Sequence, residues 1–250
     1  MIKRTQPNIG IIEKAVSLLG PLADEMVFIG GCATGLLITD PAAPPIRPTI
    51  DVDVLVEVSS LASYHILSEK LRKKGFSEDL RPDAPICRWK MKTVILDVMP
   101  TNPDILGFGN RWYKPAFKAA KWLSLPSGAE IRILPAPYFL ATKFEAFDGR
   151  GQGDYLMSPD MEDVIAVIDG RNEIVEEISK TDSGLKAYIK ERMALLLENR
   201  LFLESLSGHL PPDPQSQARA DSIIEKMRQI ITSKEGLNII SGSLIFLYGF

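Results

Sequence analysis

The stretch that most restricts the fold is residues 50–58, IDVDVLVEV. Branched apolar residues recur at every second position (Ile50, Val52, Val54, Val56, Val58), which is the period of a β-strand. The same alternation puts Asp51, Asp53 and Leu55 on the opposite face. Ionised carboxylates on an apolar strand are costly to bury unpaired, so basic side chains or metal ions must neutralise them. At i, i+2 their Cα atoms lie about 7 Å apart, close enough for their oxygens to converge on divalent cations.

The surrounding pattern alternates elements. Residues 9–19 carry apolar side chains at helical spacing and end at Gly20-Pro21. MVFIGG reads as a short buried strand running into a Gly-Gly turn, and CATGLLI can start a helix. The proline-rich TDPAAPPIRPT that follows is a loop. Residues 61–75 form an amphipathic helix stopped by glycine. CRWKMKTVILDVMP suggests a hairpin whose second strand, 94–99, carries Asp97 between apolar neighbours, and AEIRILPAP is a further strand. From residue 138 the pattern is helical, over 138–148, 161–169, 171–180, 185–207 and 217–234. The expectation is an α+β fold: a mixed sheet with flanking helices over residues 1–135, then a helical domain over 136–235 that completes the site. An apolar tail, 236–250, has no element assigned.

Composition sets limits on function. With 250 residues, 45% apolar and 24% charged, the chain is long enough to bury a sizeable core. A net charge of −3 and a pI near 5.6 exclude a uniformly basic nucleic-acid surface but leave room for a local patch. The first ten residues lack the profile of a signal peptide, and no apolar run is long enough to span a bilayer, so the expected location is the cytoplasm, without membrane contact. Cys32 and Cys87 show no metal-ligand spacing and read as core residues; His65 and His209 are isolated.

Three carboxylates, Asp51, Asp53 and Asp97, suit a hard cation such as Mg²⁺ (or Mn²⁺), and Gly30-Gly31 lets a backbone approach phosphate closely. In this order, strand, Gly-Gly, helix, loop, D-x-D strand and Asp-bearing strand, the chain resembles the nucleotidyltransferases of the DNA polymerase β superfamily. It is most similar to the AbiEii/MenT-type enzymes, typically the toxin half of a toxin–antitoxin pair. Their downstream pattern, a helical Lys, an Arg and a D-x-x-D, is matched by Lys143, Arg150, Asp160 and Asp163. One departure is that Cys32 follows the glycines directly and Thr34 comes later.

The resemblance implies metal ligation by Asp51, Asp53 and Asp97. It also implies phosphate binding by Gly30, Gly31, Thr34, Lys143 and Arg150, with Asp163 orienting Lys143 or accepting a proton. A lysine among apolar residues can equally snorkel to solvent, and Asp160 and Glu162 equally suit the start of a helix. The implied reaction is metal-dependent transfer of a nucleotidyl group from an NTP to a hydroxyl of RNA or protein, with an antitoxin as a possible partner. Alternatives are a small-molecule (aminoglycoside-type) transferase, a phosphoryl-transfer enzyme, and a non-catalytic nucleotide-binding module. Arg88, Lys90, Lys92, Arg111, Lys114, Lys118 and Lys121, interleaved with Trp112, Tyr113, Phe117 and Trp122, are the candidate RNA surface.

Overall fold

The alternating strand becomes the middle of a sheet. The computed structural model describes residues 7–233, so the apolar tail lies outside the described residues. The chain runs α1 (Ile9–Leu19), β1 (Met26–Ile29), the one-turn α2 (Gly30–Ala33), β2 (Asp51–Val56), α3 (Leu61–Lys73) and β3 (Ser77–Glu78). The hairpin β4 (Arg88–Met91) and β5 (Val94–Pro100) follows, then α4 (Tyr113–Ala119), β6 (Lys121–Ser124) and β7 (Glu130–Ile133). Seven helices complete it: α5 (Ala136–Arg150), α6 (Pro159–Gly170), α7 (Ile174–Ser179), α8 (Ser183–Glu198), α9 (Arg200–Ser205), α10 (Pro214–Gln217) and α11 (Arg219–Thr232).

Among the described residues the strands form one mixed sheet, ordered β3-β4-β5-β2-β1-β7-β6. β2 runs parallel to β5 and β1 parallel to β7; the other neighbours are antiparallel. β2 is the central strand. Val52, Val54 and Leu55 are fully buried, so both of its faces are covered. α1 packs on β2 and β5, while α5 and α6 pack together and are backed by α8 and α11. One continuous set of buried side chains runs from Ile9 to Ile230. The observed architecture is α+β, as the sequence pattern implies.

Boundaries differ where single residues interrupt a pattern. Ile50 lies outside β2 and is exposed. The helix expected over 185–207 is broken at Asn199, whose side chain accepts from the amides of Leu201 and Phe202 and so caps α9. The helix expected from 171 starts at Ile174, and the one expected over 217–234 is divided between α10 and α11 at Ala218. The edge strand β6 and helix α4 arise in the cation-rich 110–122 stretch, to which no element was assigned.

The site depends on β1, which sits between β2 and β7 and carries the fully buried Phe28. Phe28→Ala is expected to cost about 3–5 kcal/mol, the range for emptying a buried aromatic site. Chemical denaturation checks it, and a loss below about 1 kcal/mol would show that the centre of the sheet collapses around the gap.

Candidate active site

The sheet register writes one row across four strands. Ile29 of β1 is opposite Asp53 of β2, Asp53 is opposite Asp97 of β5, and Asp97 is opposite Arg88 of β4. Asp51, two residues before Asp53, shares its face. Three carboxylates therefore share one face of the central strands, and Arg88 bridges two of them. Its Nε donates to Asp97 Oδ1 at 2.8 Å, and its Nη2 donates both to Asp97 Oδ2 at 2.7 Å and to Asp51 Oδ2 at 2.9 Å. The Asp97 fork is the main reason the guanidinium pKa is raised. The second oxygen of Asp51 accepts from Thr49 Oγ1 at 2.7 Å.

Asp53 is treated differently. Among the described residues its carboxylate accepts no hydrogen bond and makes no ion pair. It lies against the Gly30 backbone, so that a Cβ built on Gly30 would fall 1.9 Å from Asp53 Oδ2. Gly30 also has φ +70°, the left-handed region that only glycine enters freely. Burial, and next the Asp51 carboxylate, push the Asp53 carboxyl up to about 7, with Lys143 offsetting part of the rise.

Behind the glycine turn lies a second group of charges, carried by α5 and α6. α5 begins just beyond the end of β7 that lies beside Phe28, which brings Lys143 to the site. Lys143 is buried, and its ammonium contacts Asp160 Oδ1 at 3.0 Å and Asp163 Oδ2 at 2.6 Å. Burial works against the charge, but Asp163 and Asp160 outweigh it and hold the pKa above the ordinary lysine value. Snorkelling to solvent is thus excluded. Asp160 is more than a helix-start acid: Arg150, with its side chain 71% exposed, forks onto it at 2.7 and 2.8 Å. Asp163 also accepts from Thr34 Oγ1 at 3.0 Å and from Arg47 Nη2 at 3.3 Å. A Cβ on Gly31 would meet Arg47 Nη2 at 2.8 Å, so the turn is packed against this network. An open cavity of about 470 Å³ adjoins it, lined by Arg150, Gly151, Gln152, Ser158 and Asp160.

The structure thus places Asp51, Asp53 and Asp97 along one face in front of Gly30, and Thr34, Lys143, Arg150 and Asp163 behind it. Sequence reasoning missed Arg47, Thr49 and Asn8. The last is buried and ties the turn to the proline-rich loop: it donates to Gly31 O and Arg47 O and accepts from Thr49 N. The expected RNA surface is divided. Arg88 belongs to the carboxylate row, Lys90 pairs with Asp79, and Arg111 sits over the Tyr188 ring and pairs with Glu145. Lys92 lies on the β4–β5 hairpin and Lys121 on the opposite edge strand.

The row suits a divalent cation in donor chemistry, being all carboxylate oxygen, with one member unpartnered among the described residues. Convergence is another matter. Among the described residues no three His, Cys, Asp or Glu side chains are gathered closely enough to hold a metal ion, and Arg88 holds two of the three candidates.

No protein-family model and no curated protein matches the sequence. Among solved structures, an antigenic nucleotidyltransferase-like protein from Paracoccidioides brasiliensis is similar, with a TM-score of 0.49 and 19% identity over 81% of this chain and 92% of that one. What the site can do follows from its own residues. No helix among the described residues is long and apolar enough to cross a membrane.

Two outcomes follow from this geometry. Gly30→Ala is expected to lose about 1–2 kcal/mol from left-handed backbone alone, and to displace Asp53 as well. Gly10→Ala, in helix α1 with open space around the new methyl group, is expected to leave stability unchanged or raise it by up to about 1 kcal/mol. Denaturation midpoints of the two variants provide the comparison. The second outcome concerns pH. Folded Asp53 titrates near 7 against an ordinary value of 3.8, so the native state binds the extra proton between those values. Stability from this group is therefore present at low pH and lost as pH rises through about 7. In chelator, Asp53→Asn should melt higher than wild type at about pH 8, with the gap narrowing towards about pH 5. A pH-independent gap would remove the assignment.

Proposed function

We propose that this protein is a metal-dependent nucleotidyltransferase that transfers a nucleotidyl group from an NTP to a hydroxyl acceptor. The observation that carries this reading is the row in which Asp53 and Asp97 face each other across parallel strands, with Asp51 beside them and the Gly30 backbone against Asp53. Asp51, Asp53 and Asp97 would hold Mg²⁺ or Mn²⁺. When bound, the ion supplies charge to offset that of the triphosphate and of the departing pyrophosphate.

The chain's own groups do the remaining work. The Gly30-Gly31 backbone allows close approach of a phosphate. Arg150 reaches from the exposed end of α5 and can clamp phosphate oxygens in a planar fork. Lys143, fixed by Asp160 and Asp163, supplies a buried positive charge behind the turn. Asp163 positions both Lys143 and Thr34. The acceptor's proton would pass to a carboxylate of the row, where Asp97 lies opposite Asp53 across the parallel strands.

A second reading, a nucleotide-binding module without catalysis, is favoured by one observation, the hold of Arg88 on Asp51 and Asp97. As the cations expected to bind RNA are divided among the inner strand β4, its hairpin, helix α4 and the edge strand β6, a protein or small-molecule hydroxyl is an equally good acceptor.

Incubation with Mg²⁺ and each α-labelled or γ-labelled NTP, against cellular RNA and protein, tests the reading. Label from the α-position should reach the acceptor and γ-label should leave as pyrophosphate; transfer of γ-label would indicate phosphoryl transfer. Asp53→Asn and Asp97→Asn should each lower transfer by about 10²-fold or more while the fold survives. Near-normal turnover in either would remove the row from the reaction.

A further inference from the structure

We propose that Arg88 is the resident counter-ion of the carboxylate row: it holds Asp51 and Asp97 while no cation is bound, and a divalent cation binds only by displacing it. The inference rests on the reading of the row as a metal site and adds to it a residue that sets the site's affinity.

The geometry supports exchange rather than a fixed structural pair. Arg88 is directly opposite Asp97 in the hairpin register, and its side chain is 16% exposed. It places all its contacts on the two flanking acids of the row and none on Asp53. One guanidinium against three carboxylates leaves the row negative, with Asp53, on a central strand, outside the reach of the Arg88 fork. A guanidinium carries a single positive charge and a rigid planar fork. A divalent cation carries twice the charge and takes six or more oxygen ligands, so it offsets more of the row's negative charge than one guanidinium does. The exchange replaces the weaker neutraliser with the stronger and frees Arg88, whose fork suits phosphate as well as carboxylate.

The test uses the full chain and Mn²⁺ as the probe. Calorimetric titration should show Arg88→Met binding Mn²⁺ about tenfold or more tightly than wild type, because the competing charge-assisted contact is gone. The metal-free variant should melt lower than wild type, and Mn²⁺ should raise its melting temperature by more. If Arg88→Met does not fold, wild type alone decides. Labelling by phenylglyoxal, mapped by peptide mass spectrometry, should be slow at Arg88 in chelator and several-fold faster in saturating Mn²⁺. Arg219, paired with Asp40 and Asp169, serves as the unchanged reference. If wild type binds Mn²⁺ but the variant binds no more tightly, or Arg88 labels at the same rate with and without the ion, the counter-ion role is overturned and the metal reading stands. If neither protein binds Mn²⁺ at millimolar concentration, the metal reading falls and the counter-ion role with it.

Discussion

Everything in the site answers to one electrostatic constraint: three carboxylates crowded on one face of two adjacent central strands, Asp97 buried and the other two half-buried. The fold meets it with cations drawn from distant parts of the chain. Arg88 comes from the neighbouring hairpin, and Lys143 offsets part of the charge from across the glycine turn. Lys143 in turn needs Asp160 and Asp163, which recruit Arg150 and Arg47. The result is two charged groups separated by a backbone with no side chain in the way. Gly30 is required there on two counts, its left-handed backbone and the carboxylate that occupies the space of a Cβ.

Much of the front row was legible because it is local and periodic. The spacing of Asp51 and Asp53, and the lone Asp97 in a hairpin strand, state which face each acid occupies once the strands are recognised. The role of Arg88 was also legible in principle. The β4–β5 connection is two residues, Lys92 and Thr93, with Met91 opposite Val94, and counting outward from it pairs Arg88 with Asp97. That count reassigns a cation first grouped with an RNA surface. Arg47 carried no comparable signal: it sits in a proline-rich loop with no period, and its partners Glu162 and Asp163 are more than a hundred residues away.

The rear group was half legible. Lys143 lies on a helix face otherwise apolar, and a long cation there has two outcomes, solvent or buried partners, which local spacing does not distinguish. Asp160 sits one residue into α6 after Ser158 and Pro159, where an acid is expected on capping grounds alone, so its pairing with two cations is hidden by a sufficient local reason for its presence. Thr34 shows the complementary problem. A small polar residue after a glycine turn has no evident partner in sequence, yet its hydroxyl is fixed by Asp163.

That last contact joins residues 129 apart in sequence, and the clamp of Arg219 on Asp40 joins residues 179 apart. Assembly of the site therefore follows the direction of synthesis. The strands that carry the carboxylates leave the ribosome first, and the glycine turn stays without its support until α6 emerges. The loop after the turn is secured later still, by α11. Long-range closure of this kind is slow compared with hairpin or helix formation. The order of the elements thus leaves the charged network behind the glycine turn incomplete until most of the helical part has been made.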